Sequence, residues 1–348
     1  MLKWRLLLGA LVIGVLVGLC LLDAYADRPG MEAGLPGVAL MPLVLLLTAL
    51  ATHELLRLAR AAGIHPVGWA VYAGNLFLVI AQWLPEVHLY ALQQVAIITK
   101  SHRMDYLAHI DLVHAGSSSP LWALSVCVLM VFVAEMRRFE RPGGALASIA
   151  VGVFGLVYIG LMMAFAVQIR LFWGVGAVAS WIICVKLGDT GAYTFGRFFG
   201  RNKMAPTISP GKTVEGAIGA LVFALAGACV SFLDILPMFN FRPLFSLHGI
   251  GLPEFSGWTS VVQLAPPYVQ GMPGQPGGWI VFGLLMGTVG MIGDLAESLL
   301  KRDVGSKDSS AWMPGFGGVL DILDSLLLSA PIAWLCWSLG VVGPGGGP

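Results

Sequence analysis

Charged residues are scarce in this chain: 11% of its 348 residues are Asp, Glu, Lys or Arg, whereas 57% are hydrophobic. The net charge of +1 excludes bulk electrostatic binding of nucleic acid, so a charged partner has to be recognised by a local cluster. The five cysteines lie in apolar runs without a CxxC motif, which indicates small buried side chains. A mean hydropathy of +0.83 lies far above that of soluble domains. The composition therefore predicts an all-α integral membrane protein.

Nine apolar runs are as long, or nearly as long, as the roughly 20 residues that a helix needs to cross a membrane. The predicted spans are 5–22, 37–56, 67–86, 119–136, 144–167, 171–188, 213–236, 278–296 and 318–342. They divide into an N-terminal region of about five spans, 1–170, and a C-terminal region, 171–348. The second region contains two predicted loops, 189–212 and 297–317.

Basic residues orient these spans, because short cytoplasmic loops are enriched in Lys and Arg. With a cytoplasmic N-terminus, 14 of the 20 basic residues lie on inside loops and five on outside loops. This predicts an N-terminus inside, a C-terminus outside, and cytoplasmic positions for both predicted loops. An alternative is a cleaved signal peptide ending at Ala24-Tyr25-Ala26, which would leave eight spans. The apolar run before that site exceeds the usual length of about 7–15 residues, which favours a retained span.

Two predicted outside loops carry weaker signals. Residues 87–118 contain side chains that can ligate a metal, namely His102, Asp105, His109, Asp111 and His114. An opposing apolar stripe of Met104, Leu107 and Ile110 favours a helix at the membrane interface instead. Residues 237–277 are rich in Pro and Gly, which predicts an irregular loop.

The predicted loop 189–212 concentrates positive charge beside glycines. Its basic residues are Arg197, Arg201, Lys203 and Lys212. Ser209, Lys212 and Thr213 form a glycine-flanked turn before a predicted helix, and such turns cradle phosphates with backbone amides. The spacing is not that of a Walker A loop. Unselective attraction of anionic lipid headgroups is the alternative interpretation.

Acidic residues gather on the last two predicted spans, 278–296 and 318–342, and just beyond the first of them. Asp294, Glu297, Ser298 and Lys301 recur at helical spacing and therefore share one face. Asp321 and Asp324 share a face of the next span, beside Ser325. Carboxylates this close repel one another unless a cation or a proton neutralises them, and Mg²⁺ prefers such oxygen ligands.

These acids and the basic loop meet at one predicted membrane boundary. Metal carboxylates facing Lys and Arg side chains are what phosphoryl or nucleotidyl transfer requires. For any single pair, the alternative is an ordinary ion pair at a helix end.

At these residues the sequence resembles the phosphatidate cytidylyltransferases, or CDP-diacylglycerol synthases. Their C-terminal signature is matched by Ser298, Lys301, Arg302, Lys307, Asp308, Ser310, Pro314, Gly317, Gly318, Asp321 and Asp324. DTGAY and ISPGKTVEG, between residues 189 and 216, resemble the nucleotide-binding region of the same family. The resemblance implies transfer of CMP from CTP to phosphatidate that enters from the inner leaflet of the cytoplasmic membrane. Surrounding lipids, a second cation and a second copy of the chain are further candidate partners.

The resemblance also implies roles for individual residues. Catalytic roles fall to Asp294, Lys301, Arg302, Lys307, Asp308, Asp321 and Asp324. Contacts to substrate fall to Asp189, Tyr193, Ser209, Lys212, Thr213, Glu215 and Ser298. The metal, expected to be Mg²⁺, is implied at Asp294, Asp321 and Asp324.

Three positions depart from the signature. Phe316 stands where the family has His, Ile322 where it has Arg, and Met313 where it has Leu, Ile or Phe. The first two replacements remove a proton carrier and a phosphate contact. A paralogue of low activity is therefore an alternative. A CTP-dependent polyprenol kinase and an ion-coupled transporter are further alternatives. The one-sided placement of the charges and the lack of a visible inverted repeat argue against the transporter.

Overall fold

We describe the protein from a computed structural model. It describes residues 14–23, 37–84, 102–140, 142–232, 277–307, 309–310 and 317–343, with the backbone alone for 102–118. The secondary structure of these residues is almost entirely helical. The helices are α1 Gly14–Asp23, α2 Met41–Ala61, α3 Gly68–Ile80, α4 His102–Arg138, α5 Ala145–Gly155, the π-helical segment Leu156–Leu161, α6 Met162–Phe199, α7 Val214–Phe232, α8 Gly278–Asp303 and α9 Val319–Ser338.

Six helical segments among the described residues are long and apolar enough to cross a membrane. They are Met41–Ala61, Ser119–Arg138, Ala145–Phe199, Val214–Phe232, Gly278–Asp303 and Val319–Ser338. The third segment has 55 residues, more than twice the about 20 that one crossing needs. The chain is therefore a mostly helical, multi-pass membrane protein, while the count of nine spans and the orientation stay predictions.

The break between the predicted spans 144–167 and 171–188 lies elsewhere. The helical run continues past Arg170, and its backbone departs from helical geometry at Gly174, with φ of 80°. Glycine adopts positive φ without the steric cost that a Cβ imposes, so the break falls there. Arg170 lies between these two predicted spans and so falls in a predicted outside loop. Arg170 is instead buried, and its Nε donates to Oδ2 of Asp23 at 2.5 Å.

The predicted loop 189–212 is more regular than its glycines indicated. Helix α6 continues to Phe199, so Asp189 and Tyr193 are helical residues. An antiparallel hairpin follows, formed by β1 Lys203–Ala205 and β2 Ser209–Thr213, and it corrects the all-α prediction. Glu215 stabilises the turn into this hairpin, because its carboxylate accepts from the backbone N–H groups of Arg201 at 3.0 Å and Asn202 at 3.2 Å.

Two other predicted elements differ in length. The span predicted at 67–86 is a 13-residue helix, α3, followed by a 3₁₀ turn at Ala81–Trp83. Helix α4 begins at His102 and runs without interruption for 37 residues, through most of the predicted interfacial segment and the next span. The side chains proposed there as metal ligands, His102 to His114, lie outside the described residues. The predicted loop 237–277 also lies outside them except for Gly277.

The chain divides into two compact units near the predicted boundary. The first includes the residues up to Leu171, and Phe172 begins the second. In the first unit the apolar core contains Leu78, Cys127 and Leu156, each with 0% exposure. One buried amide donates to another in this unit: Nε2 of Gln168 donates to Oε1 of Gln82 at 3.1 Å. Polar groups inside an apolar unit need such partners.

We expect the Asp23–Arg170 pair to stabilise the first unit. Asp23→Asn preserves size and leaves an acceptor for the Ala39 N–H, which donates to Oδ1 of Asp23 at 3.0 Å. It removes the charge opposite a buried guanidinium, which typically costs about 3–5 kcal/mol. Thermal unfolding in detergent should show a lower midpoint for Asp23→Asn and partial recovery in Asp23→Asn/Arg170→Gln. Equal midpoints for the wild type and Asp23→Asn would show that the pair contributes nothing.

Candidate functional site

All the predicted site residues that the structure describes belong to the second unit. Except for Lys307, which follows the end of α8, they lie on α6, the hairpin, the start of α7, the last turns of α8, and the start of α9. Asp308 lies outside the described residues, and Lys307 is exposed. The predicted residues therefore come from five elements of one unit, and the contacts between those elements decide which side chains meet.

Helices α8 and α9 touch at Gly293. A Cβ built at this position would lie 2.4 Å from the carbonyl oxygen of Asp324 and 3.0 Å from Cα of Ser325. Only a residue without a side chain fits against the neighbouring backbone at this distance. Asp294 follows directly on α8, and the contact brings its carboxylate near enough for its negative charge to act on Asp324.

Asp324 is the buried member of a group of carboxylates. It is 7% exposed, and the negative charges of Asp294 and Asp189 both act on it. The positive charge of Lys186 opposes them. Carboxylates held together in a poorly solvated place need positive charge, so this arrangement favours a cation or a cationic side chain between them. The sequence predicted the meeting of Asp294 and Asp324, whereas Asp189 was assigned to substrate alone.

Lys212 joins this group from the hairpin. Its Nζ lies 2.8 Å from Oδ2 of Asp294, and Asp294 is the more exposed partner, with 40% of its side chain accessible. Oγ of Ser298 donates to Oδ1 of Asp294 at 3.4 Å. A lysine on a partly exposed carboxylate is held loosely enough to exchange partners, because solvent screens such pairs. Lys212 and Asp294 therefore lie where a polyphosphate and its counter-ion can meet both.

A second charged cluster surrounds Asp321, and it is already satisfied within the protein. The carboxylate of Asp321 accepts from Nζ of Lys301 at 2.5 Å, from N and Oγ of Ser309 at 3.1 and 2.8 Å, and from N of Gly318 at 2.6 Å. Lys301 also pairs with Glu297, which has 0% exposure. The bond to Gly318 caps the N-terminus of α9. In this structure Asp321 and Lys301 hold α8, α9 and their connection together.

Lys186 and Ser325 belong to the site although the sequence analysis did not select them. Nζ of Lys186 donates to Oδ2 of Asp189 at 3.0 Å, to Oγ of Ser325 at 2.9 Å and to the carbonyl of Ile322 at 3.0 Å. Oγ of Ser325 donates in turn to Oδ2 of Asp189 at 3.0 Å. The i,i+3 spacing of Lys186 and Asp189 was the available signal, but Lys186 falls at the end of the predicted span 171–188 and outside the predicted loops.

The remaining predicted residues mainly support the backbone around the group. Oγ1 of Thr213 accepts from N of Gly216 at 3.1 Å and so caps the first turn of α7. Nε of Arg302 donates to the carbonyl of Ile208 at 3.2 Å, which ties α8 to the hairpin that carries Ser209 and Lys212. Tyr193 is 66% exposed, and its hydroxyl accepts from Nη1 of Arg197 at 2.8 Å.

The described residues do not bring the three predicted metal ligands into one group. Among these residues no set of three or more His, Cys, Asp or Glu side chains is arranged to hold a metal ion. Asp294 and Asp324 are close, whereas Asp321 is engaged by four donors. Mg²⁺ is commonly held by one or two carboxylates plus the phosphates of the substrate, so Asp294 and Asp324 fit this ion once a nucleotide is present. Metal binding stays a prediction.

Comparison with known proteins identifies the family of this chain. The sequence profile described as the cytidylyltransferase family matches residues 31–339, which include every site residue named above. Among relatives, a phosphatidate cytidylyltransferase of Mycobacterium bovis is 28% identical over 339 residues, covering 96% of this chain and 89% of the relative. One of Staphylococcus haemolyticus is 29% identical over 242 residues, covering 70% and 75%. One of Staphylococcus aureus is 32% identical over 216 residues, covering 61% and 66%. Because the family profile matches most of its length, the chain belongs to the cytidylyltransferase family.

Proposed function

We propose that the protein is a phosphatidate cytidylyltransferase, which converts CTP and phosphatidate into CDP-diacylglycerol and pyrophosphate. One observation carries the proposal: two carboxylates, Asp294 and Asp324, lie together beside the ammonium groups of Lys212 and Lys186 at a contact between apolar helices. This arrangement suits a substrate with several phosphates. Relatives named phosphatidate cytidylyltransferase support the choice of CTP and phosphatidate.

The reaction requires little acid–base chemistry from the protein. An oxygen of the phosphate monoester of phosphatidate attacks the α-phosphorus of CTP, and the bond from that phosphorus to the bridging oxygen of the β-phosphate breaks. The electron pair of this bond leaves with pyrophosphate. A phosphate monoester is already largely ionised near pH 7, so no general base has to remove a proton. The protein's contribution is to position two anions and to offset their charge.

Lys212 is suited to bind the phosphates of CTP. In the structure its ammonium neutralises Asp294, and both side chains are partly exposed. When the nucleotide binds, Lys212 turns from the carboxylate to the phosphates, and Asp294 becomes available to a cation. Mg²⁺ bound with CTP would offset charge on the phosphates there, held by Asp294 and Asp324. Lys212 and Asp294 thus exchange partners while the charge of the site stays balanced.

Lys186 supplies a positive charge near the position where the family signature has an arginine and this chain has Ile322. The side chain at that position is Ile322, but the ammonium of Lys186 lies 3.0 Å from the Ile322 carbonyl. A positive charge is therefore present at this place in the backbone, supplied by α6. This supports an active enzyme rather than an impaired paralogue. Phe316 and Met313, the other two departures, lie outside the described residues.

We place the site at the cytoplasmic surface of the inner membrane, since the basic residues of the hairpin and of the last turn of α8 lie on this side in the predicted orientation. Phosphatidate would then enter from the inner leaflet, with its acyl chains among the apolar helices. A dimer of two identical chains and a second cation stay predictions.

Labelled CTP tests the reaction. Purified protein, Mg²⁺ and phosphatidate should incorporate the α-phosphate label of CTP into lipid and release the γ-phosphate label as pyrophosphate. A polyprenol kinase would transfer the γ label to an alcohol lipid and release CDP. That outcome, or the absence of labelled lipid from a folded preparation, would reject the proposal, and ion transport without a lipid product would favour the transporter.

Replacement of Asp294 should lower activity, whereas replacement of Asp321 should lower stability. For Asp294→Asn we expect kcat/KM to fall about 100-fold and the Mg²⁺ concentration for half-maximal rate to rise, with an unchanged melting temperature. For Asp321→Asn we expect a lower melting temperature, because the variant weakens the cap of α9 and the pair with Lys301. Asp303→Asn, an exposed substitution on α8, is the matched control. A raised Mg²⁺ requirement in a fully stable Asp321→Asn protein would restore Asp321 as a metal ligand.

Lys212 should act on CTP and not on phosphatidate. Lys212→Ala removes one charge-assisted contact to phosphate, and we expect the KM for CTP to rise about 10-fold while the KM for phosphatidate stays the same. Lys203→Ala on the other strand of the hairpin is the control for loss of positive charge. An equal rise in both variants would indicate general electrostatic attraction and contradict a specific role.

A further inference from the structure

A cavity of about 530 Å³ with both polar and apolar lining lies in the first unit, which contains none of the described site residues. It is formed where the connection between α2 and α3 meets the end of α4 and the start of α5. His65, Glu135, Arg138, Gly144 and Ser148 are among the residues that line it. Its volume lies in the range of sites for small molecules, about 300–1,000 Å³. The family reaction gives it no role.

Glu135 supplies negative charge to this cavity. The residue is 8% exposed, and Oγ of Ser148 donates to its Oε2 at 3.1 Å. Among the described residues no Lys, Arg or His nitrogen forms an ion pair with it. A buried carboxylate whose partner is one neutral hydroxyl is poorly compensated, so a positively charged group of a ligand would be favourable here.

Positive charge lines the same cavity. Nη1 of Arg138 donates to the carbonyl of His65 at 2.7 Å, and a guanidinium has further N–H donors to offer a ligand. Helix α5 begins beside it, after Gly144 with φ of 84° and without a side-chain cap. The first N–H groups of an uncapped helix and its dipole both favour a negative group.

Glu135 and Arg138 favour a ligand that carries both signs, and the exposed Glu140, which also lines the cavity, adds negative charge that favours the positive end of such a ligand. Glu135 disfavours a simple anion, and Arg138 disfavours a simple metal cation. The two residues are three apart on α4, so their side chains leave neighbouring positions on one face, about 5–6 Å apart at Cβ. A short link between an ammonium and a phosphate spans a comparable distance.

The surroundings of the cavity indicate a lipid. Arg138 ends an apolar helix that is long enough to cross a membrane, and such basic ends lie at the membrane surface. Phe139 and Leu146 are 56% and 83% exposed beside the cavity. Exposed apolar side chains next to a charged cavity at the membrane surface can contact acyl chains while the cavity binds the headgroup.

We propose that this cavity binds the headgroup of a phospholipid that has a primary ammonium linked to a phosphodiester. The ammonium binds the carboxylate of Glu135, and the phosphodiester binds Arg138 and the first N–H groups of α5. The lipid binds to the first unit, and its binding does not depend on the cytidylyl transfer.

Lipid retention tests the proposal directly. Delipidated protein is mixed with matched ethanolamine, choline or glycerol phospholipids in detergent, and bound lipid is measured by native mass spectrometry. We expect the ethanolamine lipid to bind about 10-fold more tightly than the other two, because a quaternary ammonium donates no hydrogen bond and glycerol has no charge. Equal retention of all three lipids would overturn the proposal.

Variants assign the two ends of the headgroup. Glu135→Gln should abolish the preference for ethanolamine and leave binding of the glycerol lipid unchanged or stronger. Arg138→Gln should weaken all three lipids and preserve their order. Asp303→Asn in the second unit should behave as the wild type does. If Glu135→Gln is unfolded by thermal analysis, Ser148→Ala, which leaves Glu135 uncompensated, should retain or strengthen the preference, and its loss there would contradict the role of Glu135.

A soluble ligand with the same chemistry is the remaining source. Glycerophosphoethanolamine added to the same preparation should displace the lipid only at concentrations far above those of the lipid itself, because it lacks acyl chains. Displacement at equal concentration would show that the cavity binds a soluble phosphoethanolamine compound, and it would contradict the lipid.

Discussion

The contact between α8 and α9 at Gly293 is the constraint on which the candidate site depends. With a side chain at this position the two helices could not approach the distance that brings Asp294 to Asp324. The other side chains of the site depend on this close contact between the helices. Lys212 reaches the two carboxylates from the hairpin, and Lys186 reaches them from α6. A membrane protein has little hydrophobic force available to drive helices together, so close backbone packing has to hold them.

The charged residues around this contact separate into two groups with different consequences. Lys301, Glu297 and Asp321 are closed among themselves and with the backbone, and they fix the ends of α8 and α9. Lys212 and Asp294 are paired but accessible, with 20% and 40% of their side chains exposed. Burial therefore distinguishes the charges that hold the ends of α8 and α9 from the accessible pair, although four of these five residues lie between positions 294 and 321.

Helical spacing alone predicted part of this site. It placed Asp294, Ser298 and Lys301 on one face and Asp321 beside Asp324, and it recognised the membrane helices from their apolar runs. It did not predict that Asp321 turns to its own helix cap, because capping depends on the path of the connection from Ser309 to Gly318. It placed Arg170 in a loop, because a single charge in an apolar run resembles a loop residue until its partner Asp23, 147 positions away, is known. Helical spacing did not predict the contact of Lys186 with Ser325 for the same reason, because the two residues are distant in sequence.

This distance has a consequence for how the protein is made. Lys186 and Ser325 are 139 residues apart, so during synthesis α6 enters the membrane long before α9 exists. Until then the ammonium of Lys186 has Asp189 as a neighbour but neither the hydroxyl of Ser325 nor the carbonyl of Ile322. A chain that stops before α9 thus presents an incompletely paired charge among its apolar helices, where unpaired charges are costly. Insertion of α9 therefore completes the hydrogen bonding of a charge that α6 carries from the start.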